Sequence, residues 1–477
     1  MTMHDNLVDG RWVAGDPAAN INPSDTSDVI GLYAQGDAAL AGEAIAAARR
    51  ALAGWRNSPP LQRHAILSAT AREIAARRDE LGRLLAREEG KTLPEAIAEV
   101  GRAAQIFDFF AGETLRLSGE LGASVRPGVE VAVTREAVGV VGLITPWNFP
   151  IAIPAWKIAP ALAWGNTVVF KPASLVPGSA HALVDILHRA GAPAGVVNLV
   201  MGGGGGVGQA LIEGDLDAIS FTGSTGIGAR IAAASAARLR RFQLEMGGKN
   251  PLVVLDDADL DLAVEAAVNG AFFSTGQRCT ASSRLIVTEG IHDRFVAAVQ
   301  ARIAALTVGH ALEAETRIGP VVDESQLEGN LGYVAAGLAD GARLVIGGER
   351  LERPTQGFFQ RPALFTEVTN DMRIAREEIF GPVAAVIRAK DYDEALAIAN
   401  ATPFGLTAGI CTTSLKHATD FRRNAEAGMV MVNLPTAGVD FHVPFGGRKG
   451  SSFGPREQGA YAREFFSTVK TTYVNAA

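Results

Sequence analysis

Four short aliphatic runs, at residues 138–144, 167–170, 196–200 and 218–221, alternate with segments of helical periodicity. Each run is continuously apolar, which is the texture of strands buried on both faces of a parallel sheet. Such β-α alternation predicts an open sheet with helices on both faces, and ligands collect beyond the carboxyl ends of its strands. A second series starts at 251–255 and continues through helix-like 260–271 and strand-like 284–287, so a second α/β domain is expected. A length of 477 residues leaves room for about three domains at ~150 residues each.

Residues 7–13 read as a hairpin around Asp9-Gly10, a dipeptide that tolerates the positive φ of tight turns. Asp37 reads as the N-cap of a helix carrying Leu40, Ala44, Ala48, Leu52 and Trp55, and similar patterns cover 61–89 and 94–117. The first quarter is therefore expected to be mostly helical. Residues 129–134 alternate, with Val129, Val131 and Val133 on one side, like an exposed ribbon between domains. The tail FFSTVKTTYV from Phe465 also alternates, which suits strand pairing with another subunit.

Forty-four basic and 51 acidic residues give a net charge of −7, and no run of Lys or Arg offers a surface for nucleic acid. The 20 residues between Glu136 and Lys157 carry no formal charge, the length of a membrane span. Pro146, Pro150 and Pro154 are expected to break any helix there, and Pro146-Trp147-Asn148 to form a loop. The opening residues lack the basic start and apolar stretch of a secretory signal. Cys279 and Cys411 are the only cysteines, too few for a disulfide framework or a Cys-rich metal module. A cytoplasmic protein without membrane, nucleic-acid or metal partners is expected.

Gly203-x-Gly205-x-x-Gly208 satisfies a dinucleotide fingerprint in form. Five consecutive glycines produce that match almost automatically, and no acid follows about twenty residues on, so the run reads as a loop bordering the site. In FTGSTGIG a strand ends in a turn through Gly223 and Ser224 before a helix starts; this is either a phosphate site of free N–H groups or an ordinary N-cap. Cys279 lies in a turn between a helix-like and a strand-like segment, open to two readings, nucleophile or packing; Cys411, in an apolar run, fits packing. Glu245 ends an apolar stretch before two glycines, and Lys171 ends a strand at the ligand edge. Asn148, between Trp147 and Phe149, must be hydrogen-bonded or used, because an unpaired buried amide costs ~1–3 kcal/mol.

These segments together resemble the NAD(P)-dependent aldehyde dehydrogenase superfamily, in its acid-forming branch. The resemblance rests on TPWNFP at Thr145, FKPAS at Phe170, FTGST at Phe221, LEMGGKNP at Leu244, GQRCT at Gly276, EEIFGPV at Glu377 and PFGGRKGSS at Pro444. It implies an α/β fold with two doubly wound open-sheet domains and a small β oligomerisation extension. Residues 1–116 and 138–247 would bind the cofactor, 248–450 would form the catalytic domain, and 117–137 with 451–477 would bridge a homodimer or homotetramer.

The resemblance also implies that Cys279 attacks the aldehyde, that Asn148 and the Cys279 N–H form an oxyanion hole, and that Glu245 activates the hydrolytic water. Thr145, Trp147, Lys171, Ser174, Gly223, Ser224, Glu378 and Phe380 would surround the cofactor. NAD-preferring members similar to this chain often have Glu at the position of Ser174; its absence favours NADP, with NAD the alternative. PFGGRKGSSFGPREQG resembles the branch oxidising α-ketoglutaric semialdehyde to 2-oxoglutarate. Succinic or glutaric semialdehyde, or a broad aldehyde range, are the alternatives, and a thiol esterase or hydrolase is the rival from another class. Arg278 would bind a distal carboxylate or point into packing, and Phe149, Trp156 and Phe441 would line the tunnel or belong to the core.

Overall fold

The strands Val140–Ile144, Thr167–Lys171, Val197–Leu199 and Ala218–Thr222 are buried along their whole length, and helices pack on both faces. In the computed structural model, which describes residues 2–475, these strands and Arg241–Glu245 run parallel. Their spatial order is Arg241–Glu245, Ala218–Thr222, Val140–Ile144, Thr167–Lys171, Val197–Leu199. The chain winds outward from Val140–Ile144, then returns to its other side at Ala218–Thr222. Strand order thus reverses between those two, and a crevice opens at their carboxyl ends. Thr145–Trp147 and Gly223–Ser224 lie there.

The expected hairpin forms from Asn6–Val8 and Arg11–Val13, with Asp9 and Gly10 at φ 53° and 73°, and extends one edge of this sheet. Ser452–Phe453 pairs antiparallel with Arg241–Glu245 at the other edge. Part of 451–477 therefore belongs to the first sheet and not to a bridge.

A second sheet has the order Arg343–Ile346, Ala363–Thr366, Val383–Ala389, Arg284–Thr288, Pro251–Val254, Thr407–Cys411, Met429–Val432. Only Arg343–Ile346 is antiparallel to its neighbour. The ribbon is the strand Val129–Ala137, and the tail strand Ser467–Asn475 pairs with it from Ser467 opposite Ala137 to Asn475 opposite Val129. The alternation that suggested a partner subunit is thus first satisfied within the chain.

The first quarter is mostly helical, as expected, but not wholly so. Asp37 caps Ala38–Arg56 by accepting from Leu40 N at 2.8 Å, and helices Pro60–Ala76, Arg78–Glu89 and Leu93–Glu113 follow. Ahead of them, however, Asp16–Asn22 and Asp25–Gln35 form a long antiparallel pair. Asp, Asn and Pro in these strands hide them from propensity; cross-strand pairing supplies what residue preference does not.

The uncharged stretch before Lys157 also differs from expectation, since Ala152–Ala163 is a fully buried helix containing Pro154 and Pro160. Pro154 sits in the first turn, where a missing N–H breaks no helical bond. Glu99 Oε1 accepts from the N–H groups of Ile151 and Ala152 at 3.1 and 3.2 Å, securing the helix start. Among the described residues no helix is long and apolar enough to cross a membrane.

Candidate active site

The turn after Ala218–Thr222 delivers Ser224, exposed, to the N-cap of the twelve-residue helix Thr225–Ala236. Its hydroxyl makes no capping bond, so it and the first-turn N–H groups face the crevice unclaimed. Gly223 is sterically required, because a Cβ there would lie 2.6 Å from the Phe221 ring. The glycine run behaves otherwise: a Cβ on Gly203, Gly204, Gly205 or Gly206 would meet nothing within 4 Å.

Lys171, at its strand end, is buried with Pro172 O at 2.6 Å as its acceptor, and burial lowers its ammonium to about 8. Ser174 Oγ donates to Gly202 O at 3.2 Å. Across the crevice Glu378 accepts from Gly248 N at 3.0 Å, and burial raises its carboxyl to about 7. Gly247 makes this approach possible, since its Cβ would lie 1.8 Å from Glu378 Oε2. Phe380, at φ 61°, meets the Trp147 ring edge-on at 5.3 Å. Trp147, Glu378 and Phe380 line a cavity of about 360 Å³. Free helix-end donors, a buried cation without an anion and a buried carboxylate fit a dinucleotide, whose phosphates and ribose need these groups.

Cys279 is carried on a loop held against strain. Ser274, Thr275 and Gly276 have φ of 50°, 56° and 66°, a region costly for residues with side chains. Glu95 Oε1 accepts from Ser274 N at 2.8 Å, Thr275 Oγ1 donates to Gly319 O at 3.1 Å, and Gln277 Oε1 accepts from Val322 N at 3.0 Å. Asn250 Nδ2 then fastens Cys279 O at 2.8 Å. Asn148 is buried with both ends fixed: its Nδ2 donates to Gln277 O at 2.9 Å, and its backbone carbonyl accepts from Lys91 Nζ at 2.7 Å. The amide therefore stands beside the Cys279 loop.

Burial, then the charges of Glu378 and Glu245, push the half-buried Cys279 thiol up to about 12. Burial and the two carboxylates thus favour the protonated thiol in the ligand-free enzyme. Iodoacetamide modification of Cys279 should accelerate about tenfold per pH unit from about pH 7 to 10, because only thiolate reacts. A plateau below about pH 9 would show a thiol that is already ionised. Cys411 is fully buried within Thr407–Cys411, as its apolar setting suggested.

Glu245 ends its strand buried, and its Oε2 accepts from Ser452 Oγ at 2.5 Å. Burial and the neighbouring Glu457 carboxylate raise its carboxyl well above the ordinary range. Glu457 is in turn held by the ammonium of Lys157, which also donates to Ser220 Oγ at 2.7 Å. Ser452 and Glu457 lie within the stretch PFGGRKGSSFGPREQG, but their placement beside Glu245, like that of Lys157, comes from tertiary structure alone.

Cys279 opens onto a cavity of about 440 Å³ walled by Phe149, Trp156 and Phe445. Phe441, expected in this wall, stands outside it, packed on Phe109 at 6.2 Å; Phe445 takes its place, stacked on Trp156 at 5.4 Å. Arg278 does line the cavity, but it is ion-paired with Glu95 at 3.1 Å and cannot serve as the free cation expected for a carboxylate. Among the described residues no histidine lines it, which removes the usual base of a thiol hydrolase. The wall also contains Lys91, Glu95, Glu99 and Arg102, which sequence reading missed. Glu95, Glu99 and Arg102 follow i, i+4, i+7 spacing on Leu93–Glu113, so a charged stripe on an otherwise apolar helix was the available signal.

A strand-order reversal, an uncapped helix N-terminus at its crevice and a strained loop carrying Cys279 beside buried Glu245 are the frame of a nucleotide-dependent oxidoreductase. The model of the aldehyde dehydrogenase family matches residues 12–472, and the chain belongs to that family. It is 44% identical over 475 residues to the α-ketoglutaric semialdehyde dehydrogenase of Bacillus subtilis, covering 98% of this chain and 97% of that one. It is 38% identical over 482 residues to the betaine aldehyde dehydrogenase of the same organism, with 98% and 97% covered. Among solved structures, an NAD-dependent aldehyde dehydrogenase from Sinorhizobium meliloti matches with a TM-score of 0.96 at 36% identity, covering 99% of this chain and 95% of that one. An NADP-dependent enzyme from E. coli matches with a TM-score of 0.95 at 36% identity, covering 99% and 98%.

Proposed function

We propose that this enzyme oxidises α-ketoglutaric semialdehyde to 2-oxoglutarate through a covalent adduct on Cys279. The observation that supports this chemistry most is the bond from Asn148 Nδ2 to Gln277 O, which keeps an amide donor beside the thiol. Cys279 gives up its S–H proton to solvent and adds as thiolate to the aldehyde carbon, the C=O π pair moves onto oxygen, and Asn148 with the Cys279 N–H donates to that negative oxygen. Each such donor is worth about 2.7–4 kcal/mol of barrier. NAD(P), when bound, accepts the hydride from that carbon. Glu245 takes a proton from the water that hydrolyses the Cys279 thioester, and its raised affinity for protons suits that work.

Ser224, Gly223 and Thr145 would receive the pyrophosphate side of the cofactor and Lys171 its adenine ribose, while Trp147, Glu378 and Phe380 would hold the nicotinamide end. NADP is the preferred form, with NAD as the alternative. Ser174 brings no carboxylate to repel a 2′-phosphate, and the Lys171 ammonium has no anionic partner. The substrate assignment draws on the 44% identical Bacillus relative, against a betaine-aldehyde enzyme at 38%. Assembly as a cytoplasmic homodimer or homotetramer accords with Val469, Tyr473 and Val474, exposed on the tail strand, and with two free cysteines.

Reduced-cofactor absorbance, measured with α-ketoglutaric, succinic, glutaric and betaine aldehydes against NADP and NAD, tests both assignments. The highest kcat/KM is expected for α-ketoglutaric semialdehyde with NADP. An equal or better value with NAD refutes the cofactor preference, and a betaine aldehyde optimum refutes the substrate.

A further inference from the structure

Three cations line the cavity in front of Cys279, and two are already neutralised. Lys91 Nζ donates to Glu99 at 2.7 Å and to Asn148 O at 2.7 Å, and lies 4.0 Å over the Phe149 ring. Arg278 is paired with Glu95 at 3.1 Å and bonded to Asn269 O at 3.3 Å. Arg102 differs. Its Nη2 donates to Val439 O and, at 3.5 Å, to Gln458 Oε1, both uncharged acceptors. Its Nε is buried without a partner, and no hydrogen bond engages Nη1 among the described residues. Glu99 and Asp440 attract it from a distance, but neither comes within ion-pair range. A partly buried guanidinium without a counter-anion is an unfinished arrangement, and a carboxylate is its natural complement.

Position adds a second argument. Glu95, Glu99 and Arg102 share one face of Leu93–Glu113, and Glu95 touches the Cys279 loop through Ser274 and Arg278. Arg102 is seven residues further on, about 10 Å along the axis at 1.5 Å per residue. Ala98, Phe149, Ala152, Trp156 and Phe445 supply the apolar part of the wall, beside the mutually paired Lys91 and Glu99. The cavity thus joins the Cys279 thiol to one cation left without an anion, across a lining whose other charges are paired.

We infer that Arg102 receives the distal carboxylate of the aldehyde, and so sets the enzyme's choice of a carboxylated over a neutral or cationic substrate. This rests on the proposed aldehyde oxidation and names the residue that gives it selectivity. With Lys91 and Arg278 neutralised by Glu99 and Glu95, Arg102 leaves the wall net positive, which repels a trimethylammonium aldehyde as it attracts an acid.

The test compares wild type, Arg102→Ala, Arg102→Met and Arg102→Lys on α-ketoglutaric semialdehyde and on pentanal, its uncharged five-carbon counterpart. Both neutral variants should raise KM for the semialdehyde about 100-fold with little change in kcat, while kcat/KM for pentanal holds. Arg102→Lys should recover part of the loss. The Met variant keeps the packed stem and maintains the contrast where the Ala variant folds poorly. Equal losses on both aldehydes would reveal a merely structural arginine and overturn the inference, as would an unchanged KM for the semialdehyde in folded Arg102→Met. A wild-type enzyme that prefers pentanal defeats the substrate assignment itself, a result separable from the other two.

Discussion

A Cys279→Ala enzyme is expected to lose aldehyde oxidation by at least about 10⁴-fold while still binding cofactor, since removing the nucleophile of a hydrolytic enzyme costs up to about 10⁶ in turnover. No second thiol can substitute: Cys411 is fully buried at the end of Thr407–Cys411, one strand in from the edge of the second sheet. Cofactor affinity should stay within about threefold, because Ser224, Lys171 and Glu378 belong to other elements and their effects add independently. Quenching of Trp147 fluorescence on NADP addition measures that binding, and reduced-cofactor absorbance measures turnover. Residual oxidation within about tenfold of wild type would mean that the reaction needs no covalent sulfur adduct.

Glu245→Gln should separate the two halves of the reaction. Glutamine keeps the shape and can still accept from Ser452, but it cannot take up a proton. A first turnover should therefore appear as a burst of reduced cofactor, after which the steady state falls by about 10²- to 10⁴-fold, the usual contribution of general-base catalysis. The pH dependence has a definite sign. Burial and Glu457 stabilise the protonated form of Glu245, so the base form accumulates only as pH rises well above the ordinary carboxylate range. Wild-type steady-state turnover should climb with pH above the ordinary carboxylate range, whereas the Gln variant should lose that climb. Stopped-flow traces that show normal steady-state turnover in Glu245→Gln would assign water activation to another group.

Features specified by neighbours in the chain were legible. The Gly223–Ser224 turn, the Asp9-Gly10 hairpin and the Asp37 cap each declare themselves within a few residues, and the structure has each of them. The parallel strands were legible for the same reason, since a strand buried on both faces must be continuously apolar. The features missed depend on partners far away in sequence. Arg278 stays open between carboxylate binding and packing in the sequence because its partner Glu95 lies 183 residues upstream, and Ser452 reaches Glu245 across 207. The pair Asp16–Asn22 and Asp25–Gln35 is hidden because Asp, Asn, Pro and Gly interrupt the strand formers Thr26, Val29, Ile30 and Tyr33. Pro154 was read as a helix breaker when it occupies the one turn that tolerates it.

Gly247 has a role beyond admitting Glu378. It stands two residues after Glu245 at the end of the first sheet, and the carboxylate that presses on it comes from the loop preceding Val383–Ala389 of the second. Any larger side chain there would act as a spacer between the two halves of the molecule, prising them apart where Glu378 meets Gly247. The gauge of the crevice is set by a carbon atom that the chain leaves out.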